Sequence, residues 1–175
     1  MSDQIITDIK LIGRYSRHNE DADWRFRSFL KAHPTLSNKA LDSAVREETD
    51  RIWAQIDCTK CANCCKVMDV VIDDADIKRL AARFKMPVRQ FEQLHVRLDQ
   101  NDNEKYFSSK PCQFLGDNNI CTVYDDRPQA CRDFPFLHKE GFRQRTLAML
   151  SNQEVCPIVF NVWQALKRRL WRRKF

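Results

Sequence analysis

Glycine is scarce: only Gly13, Gly116 and Gly141 occur in 175 residues, far apart from one another. A P-loop or a GxGxxG dinucleotide turn needs clustered glycines so that the backbone can approach phosphate closely. Both of these turns are therefore excluded, and a self-contained nucleotide-binding fold is not expected. Long apolar runs are also missing, so nothing in the chain is long enough to span a bilayer. The opening stretch, Met1 to Leu11, carries Asp3 and Asp8 and has no long apolar segment, which argues against a secretory signal. These absences lead us to expect a cytoplasmic protein, where thiols stay reduced. Hydrophobic residues make up 43% of the chain, enough to build a core.

What the chain has in excess is cysteine. Four of its eight cysteines fall in Cys58-Thr59-Lys60-Cys61-Ala62-Asn63-Cys64-Cys65. One or two thiols would fill the same core volume, so packing does not explain that density. Two-residue gaps let a tight turn aim several sulfurs at one point, as thiolate metal sites require. Cys112, Cys121, Cys131 and Cys156 follow downstream and complete a candidate ligand set of eight. In a reducing compartment such a set favours metal over a disulfide framework.

The common templates do not fit. Bacterial ferredoxins need a further cysteine after three intervening residues, and Met68 stands there. Zinc ribbons need a second C-x2-C knuckle, which the downstream cysteines do not supply. Successive side chains point in different directions, so adjacent Cys64 and Cys65 are expected to serve two centres, or one to ligate while the other packs. Eight thiolates match two four-cysteine sites, as two zincs or two [4Fe-4S] clusters. One cluster with spare thiols is the leaner alternative.

Charge is uneven. The formal net charge is +6, and Lys167, Arg168, Arg169, Arg172, Arg173 and Lys174 account for it near the C-terminus. Pro157 should open an amphipathic helix with Val159, Val162, Trp163, Leu166 and Leu170 on its apolar side. Its basic end reads either as a contact for nucleic acid, an acidic protein or a membrane surface, or as the solvated end of a docking helix.

Elsewhere the pattern is mostly helical. Residues 23–31 predict a helix that buries Trp24, Phe26, Phe29 and Leu30 and stops at Pro34. Ser37 should cap a second helix through Gln55, with Leu41, Val45, Ile52 and Ile56 inside and Glu47 facing Arg51. Residues 67–72 predict a short strand. Asp73 then caps a helix carrying Ile77, Leu80, Ala81 and Phe84, and Pro87 starts another through Leu98. That pair reads as an αα-hairpin rather than a DNA reader, because Glu92 and Asp99 accompany Arg89 and Arg97. Gly116-Asp117-Asn118-Asn119 should turn a hairpin with Cys112 and Cys121 on its arms. Asp126 is expected to cap a short helix around Cys131, and a strand or hairpin is expected around Gly141.

Several residues near the cysteines have two readings. Arg127 and Arg132 could offset thiolate charge, or pair with Asp125, Asp126 or Asp133. Tyr124 could donate to a thiolate or pack in the core, and His138 could ligate or serve structure. No catalytic residue can be assigned from these patterns.

Cys58-x2-Cys61-x2-Cys64-Cys65, Pro111-Cys112-x-Phe114-Leu115, Cys121-x2-Tyr124, Arg127-Pro128-x2-Cys131-Arg132-x-Phe134-Pro135 and Cys156-Pro157 together resemble the YkgJ-type cysteine-cluster family. That family is described as a zinc- or iron-chelating domain, so the resemblance implies metal held by the eight cysteines. A related cluster occurs in flagellin lysine N-methylases, which implies a macromolecule-modifying role as one possibility. The expectation is a small single-domain α+β protein, mostly helical with short strands, organised around cysteine-ligated metal. Its parts are a helical segment over 1–57, the cysteine domain over 58–160 and a basic tail over 161–175. An iron–sulfur cluster, [4Fe-4S] in type, with a redox or modifying role is the preferred reading. The alternative is a zinc-stabilised module that presents the tail to nucleic acid or protein.

Overall fold

A computed structural model describes residues 4–171. Arg172, Arg173 and Lys174, half of the predicted basic tail's charge, lie outside the described residues. In chain order the helices are α1 (Ile9–His18), α2 (Glu20–Ala32), α3 (Asn38–Trp53), α4 (Cys58–Cys61), α5 (Asn63–Val67), α6 (Asp74–Arg83) and α7 (Val88–His95). Strands β1 (Val96–Leu98) and β2 (Lys105–Phe107) follow, then α8 (Gln129–Asp133), α9 (Phe142–Gln153) and α10 (Pro157–Leu170). The chain is small α+β, mostly helical, as expected. It divides into two compact units, one made of residues 1–57 and 135–175 and the other of residues 58–134.

The first unit is built on α10. Every residue from Pro157 to Leu166 is buried, so this stretch is apolar-packed all round rather than striped. Asn161 and Gln164 are buried with it, and a buried amide needs partners. Asn161 finds them: its Nδ2 donates to the carbonyls of Ile6 and Pro157, both at 2.7 Å, and its Oδ1 accepts from the Ile6 N–H. That exchange pins the segment before α1. Phe26 from α2 sets its ring edge-on to Trp163 at 5.1 Å. Helices α3 and α9 pack on α10 as well, and Leu41, Val45 and Ile52 of α3 are fully buried. Each such side chain contributes about 1.5–3 kcal/mol when removed from water.

Ser37 caps α3 by accepting the Ala40 N–H, as its sequence predicts. Three expectations for this unit need correction. Trp24 is exposed, because α2 turns Phe26 and Leu30 inward and Trp24 falls on the outer face. Arg51 bonds Glu48 one turn back, while Glu47 takes Arg169 instead. The strand around Gly141 is helix α9. Gly141, at φ 76°, and Phe142 both donate their N–H groups to the Asp42 carboxylate at 2.9 Å. The cap that starts α9 thus comes from a distant helix, and the local sequence carries no sign of it.

The second unit has its own core of Ile72, Ile77, Leu80, Ala81, Phe91, Phe107, Phe114 and Val123. Asp73 caps α6 in a reciprocal box with Asp76. Helices α6 and α7 form the expected hairpin. Their aromatic face stacks Phe84 on Phe91 at 6.2 Å and on Phe114 at 5.6 Å. Helix α7 stops at His95 instead of running to Leu98. Val96–Leu98 pairs antiparallel with β2 in the register Val96↔Phe107, Arg97↔Tyr106 and Leu98↔Lys105. Asp99 and Asn103 close the turn between them. Residues 67–72 carry only an isolated bridge, Val71 to Tyr106, and Val67 at the start of that run still belongs to α5, which Met68 caps. The predicted 111–124 hairpin shrinks likewise to one bridge between Leu115 and Cys121. Pro111 has no N–H to give a ladder on that arm. Pro128, not Asp126, precedes α8.

Candidate metal centre

The cysteine block folds as two single turns. Cys58 and Cys61 end α4, three residues apart and so on one side of it. Ala62 then breaks the helix at φ 47°, a left-handed conformation that costs a residue with a Cβ about 1–2 kcal/mol. Asn63 restarts the chain as α5, which carries Cys64 and Cys65. Without that break Cys64 would simply continue α4. Lys66 Nζ reaches back to the Cys61 carbonyl at 3.2 Å and ties the two turns together. The sulfurs of Cys64 and Cys65 lie 4.0 Å apart, so the neighbours sit side by side rather than diverging as expected.

Three downstream cysteines come to this block by separate routes. Cys112 donates its N–H to the Cys65 carbonyl at 2.8 Å. Cys121 is held by its bridge to Leu115, whose N–H in turn bonds the Cys112 carbonyl. Cys131 rides on α8. Cys112 and Cys121 are half-buried against the Phe91, Phe107 and Phe114 core. Cys65, Cys112, Cys121 and Cys131 lie within each other's electrostatic reach, since the charge of Cys65 helps raise the other three thiols. Among the described residues no three His, Cys, Asp or Glu side chains converge on one point closely enough to hold an ion. Cys156 belongs to the other unit, buried at the start of α10.

The four thiols differ sharply in acidity. Cys65 is lowered to about 7, chiefly because Cys64 donates its S–H to it, with Arg127 and Lys66 adding positive charge. Burial is the largest cause that raises Cys112 and Cys121. The same cause, followed by the neighbouring thiolates, pushes Cys131 up to about 12. Cys65 is therefore largely a thiolate near neutral pH while Cys131 stays protonated. Iodoacetamide should label Cys65 first in metal-free protein at 10 °C, with a rate that rises with pH and levels off above about 7. At pH 8 roughly nine-tenths of Cys65 but only about one part in ten thousand of Cys131 is ionised. Mass spectrometry of the labelled peptides checks this, and a Cys65 midpoint near 9 would contradict it.

Arg127 faces this group. Its guanidinium stacks on the Tyr124 ring at 4.0 Å, and its charge lowers Cys65, Cys121 and Cys131. Its Nε–H is buried without a protein acceptor. An orphaned buried donor costs about 1–3 kcal/mol. It fits a neighbour that becomes anionic, as a set of thiolates does on loading with metal. The donor set is sulfur throughout, which suits zinc and iron alike.

Of the other flanking residues, Arg132 and Tyr124 follow neither of their readings, and His138 follows the structural one. Arg132 donates to the carbonyls of Arg127 and Asp125, while Asp126 takes Arg83. Tyr124 is exposed and serves as the platform for Arg127. His138 lies in the other unit, bonded to Asp50 at 2.8 Å and set against Trp53, which is a structural role. Sequence reasoning missed Asp76 and Arg79. Asp76 showed itself only as a helix-start acid, and its second partner lies 53 residues away.

Among the described residues no helix is long and apolar enough to cross a membrane. Comparison with curated proteins and with solved structures returned no match. A family model named CxxCxxCC, described as "Putative zinc- or iron-chelating domain", matches residues 57–157. That span takes in all eight cysteines and more than half of the chain, and the chain belongs to this zinc- or iron-chelating family.

Proposed function

We propose that the unit formed by residues 58–134 holds a thiolate-ligated iron–sulfur cluster, with Cys65, Cys112, Cys121 and Cys131 as ligands. The observation that carries this reading is the shared electrostatic field of those four thiols, with the unpartnered Nε–H of Arg127 beside them. The half-burial of Cys112 and Cys121 against the core that includes Phe91, Phe107 and Phe114 keeps water from one side of the site. Burial and nearby donors of this kind tune the potential of a cluster. Such a cluster supplies one-electron chemistry when bound, in electron transfer or in modification of a macromolecule. The protein's own part is to hold the four sulfurs, offset their charge through Arg127 and limit access by solvent. Cys58, Cys61 and Cys64 border this set on α4 and α5 and are the candidates for a further thiolate site.

Zinc is the second reading, and one distance favours it. A tetrahedral site with Zn–S bonds of about 2.3 Å has sulfur–sulfur edges of about 3.8 Å, close to the 4.0 Å between Cys64 and Cys65. The metal would then be structural, and the basic run ending at Lys174 would meet nucleic acid or an acidic protein. Lys167 and Arg169 are already paired, with Asp23 and Glu47, which leaves less of that run for a partner than its composition suggests.

Iron, zinc and acid-labile sulfide per chain, measured after anaerobic purification together with a visible spectrum, separate the two. The expected result is about four irons and four sulfides for one [4Fe-4S] centre, with a broad visible absorption. Stoichiometric zinc without sulfide would sink the cluster and establish the structural module in its place.

A further inference from the structure

We infer that Asp76 and Arg79 are positioning residues for the metal centre, a clasp that fixes the loop carrying Arg127 and Cys131; this rests on the metal reading given above. Asp76 is buried, with its side chain 4% exposed. Its carboxylate accepts the Asp73 N–H at 3.4 Å and a salt bridge from Arg79. It also accepts the N–H of Gln129, from both oxygens at 3.2 and 3.3 Å. Gln129 is the first residue of α8, two positions before Cys131.

Arg79 completes the clasp from the other side. Its Nε donates to the Asp126 carbonyl at 3.3 Å and its Nη2 to the Arg127 carbonyl at 3.0 Å. Arg132 adds donors to the carbonyls of Arg127 and Asp125. Three consecutive carbonyls and the next free N–H are thereby held. Pro128, between them, has no N–H to offer. With the backbone of 125–129 fixed, two things follow, one just downstream of it and one within it. Cys131 is presented at a set position on α8, and Arg127 is held with its side chain on Tyr124 and its charge toward the thiols.

A helix start needs no such arrangement. Asp73 already caps α6 by accepting the Asp76 N–H at 2.7 Å. An acid at the Asp76 position on an exposed helix start would point to water and reach the Asp73 N–H alone. Here the carboxylate is turned inward and spends its remaining capacity on a loop 53 residues away that carries a ligand. Groups that orient ligands from outside the first shell typically change metal affinity 10–100-fold when lost.

The test uses the full-length metal-loaded chain and follows metal release to excess chelator at 10 °C. Asp76→Asn keeps the side-chain shape and removes the charge that holds Arg79. Asp73→Ala removes the cap from the same helix and leaves the Gln129 link in place, so it controls for simple loss of stability. Release from Asp76→Asn should be at least about tenfold faster than from wild type, against about twofold or less for Asp73→Ala. Arg79→Ala should match Asp76→Asn, and the double variant should be no faster than either, because both act on one loop. Equal release from Asp76→Asn and Asp73→Ala would overturn the clasp. A wild-type protein that carries no metal refutes the metal reading instead. The clasp is then judged on Cys131 alkylation: faster labelling in Asp76→Asn sustains it, and unchanged labelling refutes it.

Discussion

Stripping the metal should lower the melting temperature of the cysteine unit by about 15–30 °C and leave the transition of the other unit where it was. The second unit has eight buried apolar side chains in its core, two three-residue strands and several single-turn helices. A core of that size gives marginal stability by itself. Its cysteine block also includes Ala62 in a left-handed conformation, a conformational cost that something else must offset. Metal binding is folding free energy wherever the unfolded chain cannot form the site. A domain of this size moves about 4–8 °C per kcal/mol. A contribution of only ~4 kcal/mol therefore produces the shift stated, and finger-type zinc sites reach ~10–16 kcal/mol. The sign with pH follows from the thiols. On the proposed ligand set, metal would displace protons from Cys112, Cys121 and Cys131, whose acidity is weakened in the fold, so the gain should grow as pH rises and shrink in acid. Calorimetry of loaded and chelated protein at two pH values would check both claims. A single unchanged melting curve would mean that no metal stabilises this unit.

The reach of sequence reasoning here tracks the range of the interactions involved. Ser37, Asp73 and Pro157 were legible as helix starts because each acts on residues within one turn. The cysteine spacing was legible for the same reason: the two turns around Ala62 are local. Helix α9 was not, because the carboxylate that starts it belongs to Asp42, 99 residues away. The switch from helix to strand at Val96 depends on a partner strand at Lys105–Phe107, and apolar spacing alone continued the helix. For the candidate site, the cysteines were readable as candidate ligands and their grouping in space was not. Cys65 joins the downstream cysteines through one backbone hydrogen bond to Cys112, and Cys131 is placed by Asp76. Neither contact leaves a spacing pattern. Composition also misrepresented the C-terminal helix. A stripe of apolar residues beside lysine and arginine predicts one wet face, yet α10 is enclosed from Pro157 to Leu166.

Replacing Asp23 by alanine should destabilise the helical unit by about 3–5 kcal/mol, much of its total if that unit has ordinary stability. Asp23 is 1% exposed and sits on α2 among three donors. Trp163 Nε1 reaches one carboxylate oxygen at 3.0 Å, Lys167 Nζ reaches the same oxygen at 2.6 Å, and Gln153 Nε2 reaches the other at 2.9 Å. Alanine would leave a nearly buried ammonium, an indole N–H and an amide without their acceptor, and the ammonium is the costliest of these. Lys167→Met is the informative comparison. It removes one charge-assisted bond, about 1.5–3 kcal/mol, but the carboxylate keeps Trp163 and Gln153. The loss should therefore be clearly smaller than for Asp23→Ala. In the double variant no cation remains to be desolvated, so the two effects should fall short of adding by about 1–3 kcal/mol. Lys167 is thus a core residue of its unit, in spite of opening the basic run. Urea unfolding of the two single variants and the double variant measures the cycle. A negligible loss from Lys167→Met, simply additive with that of Asp23→Ala, would show that Lys167 is solvated after all and return its charge to the surface.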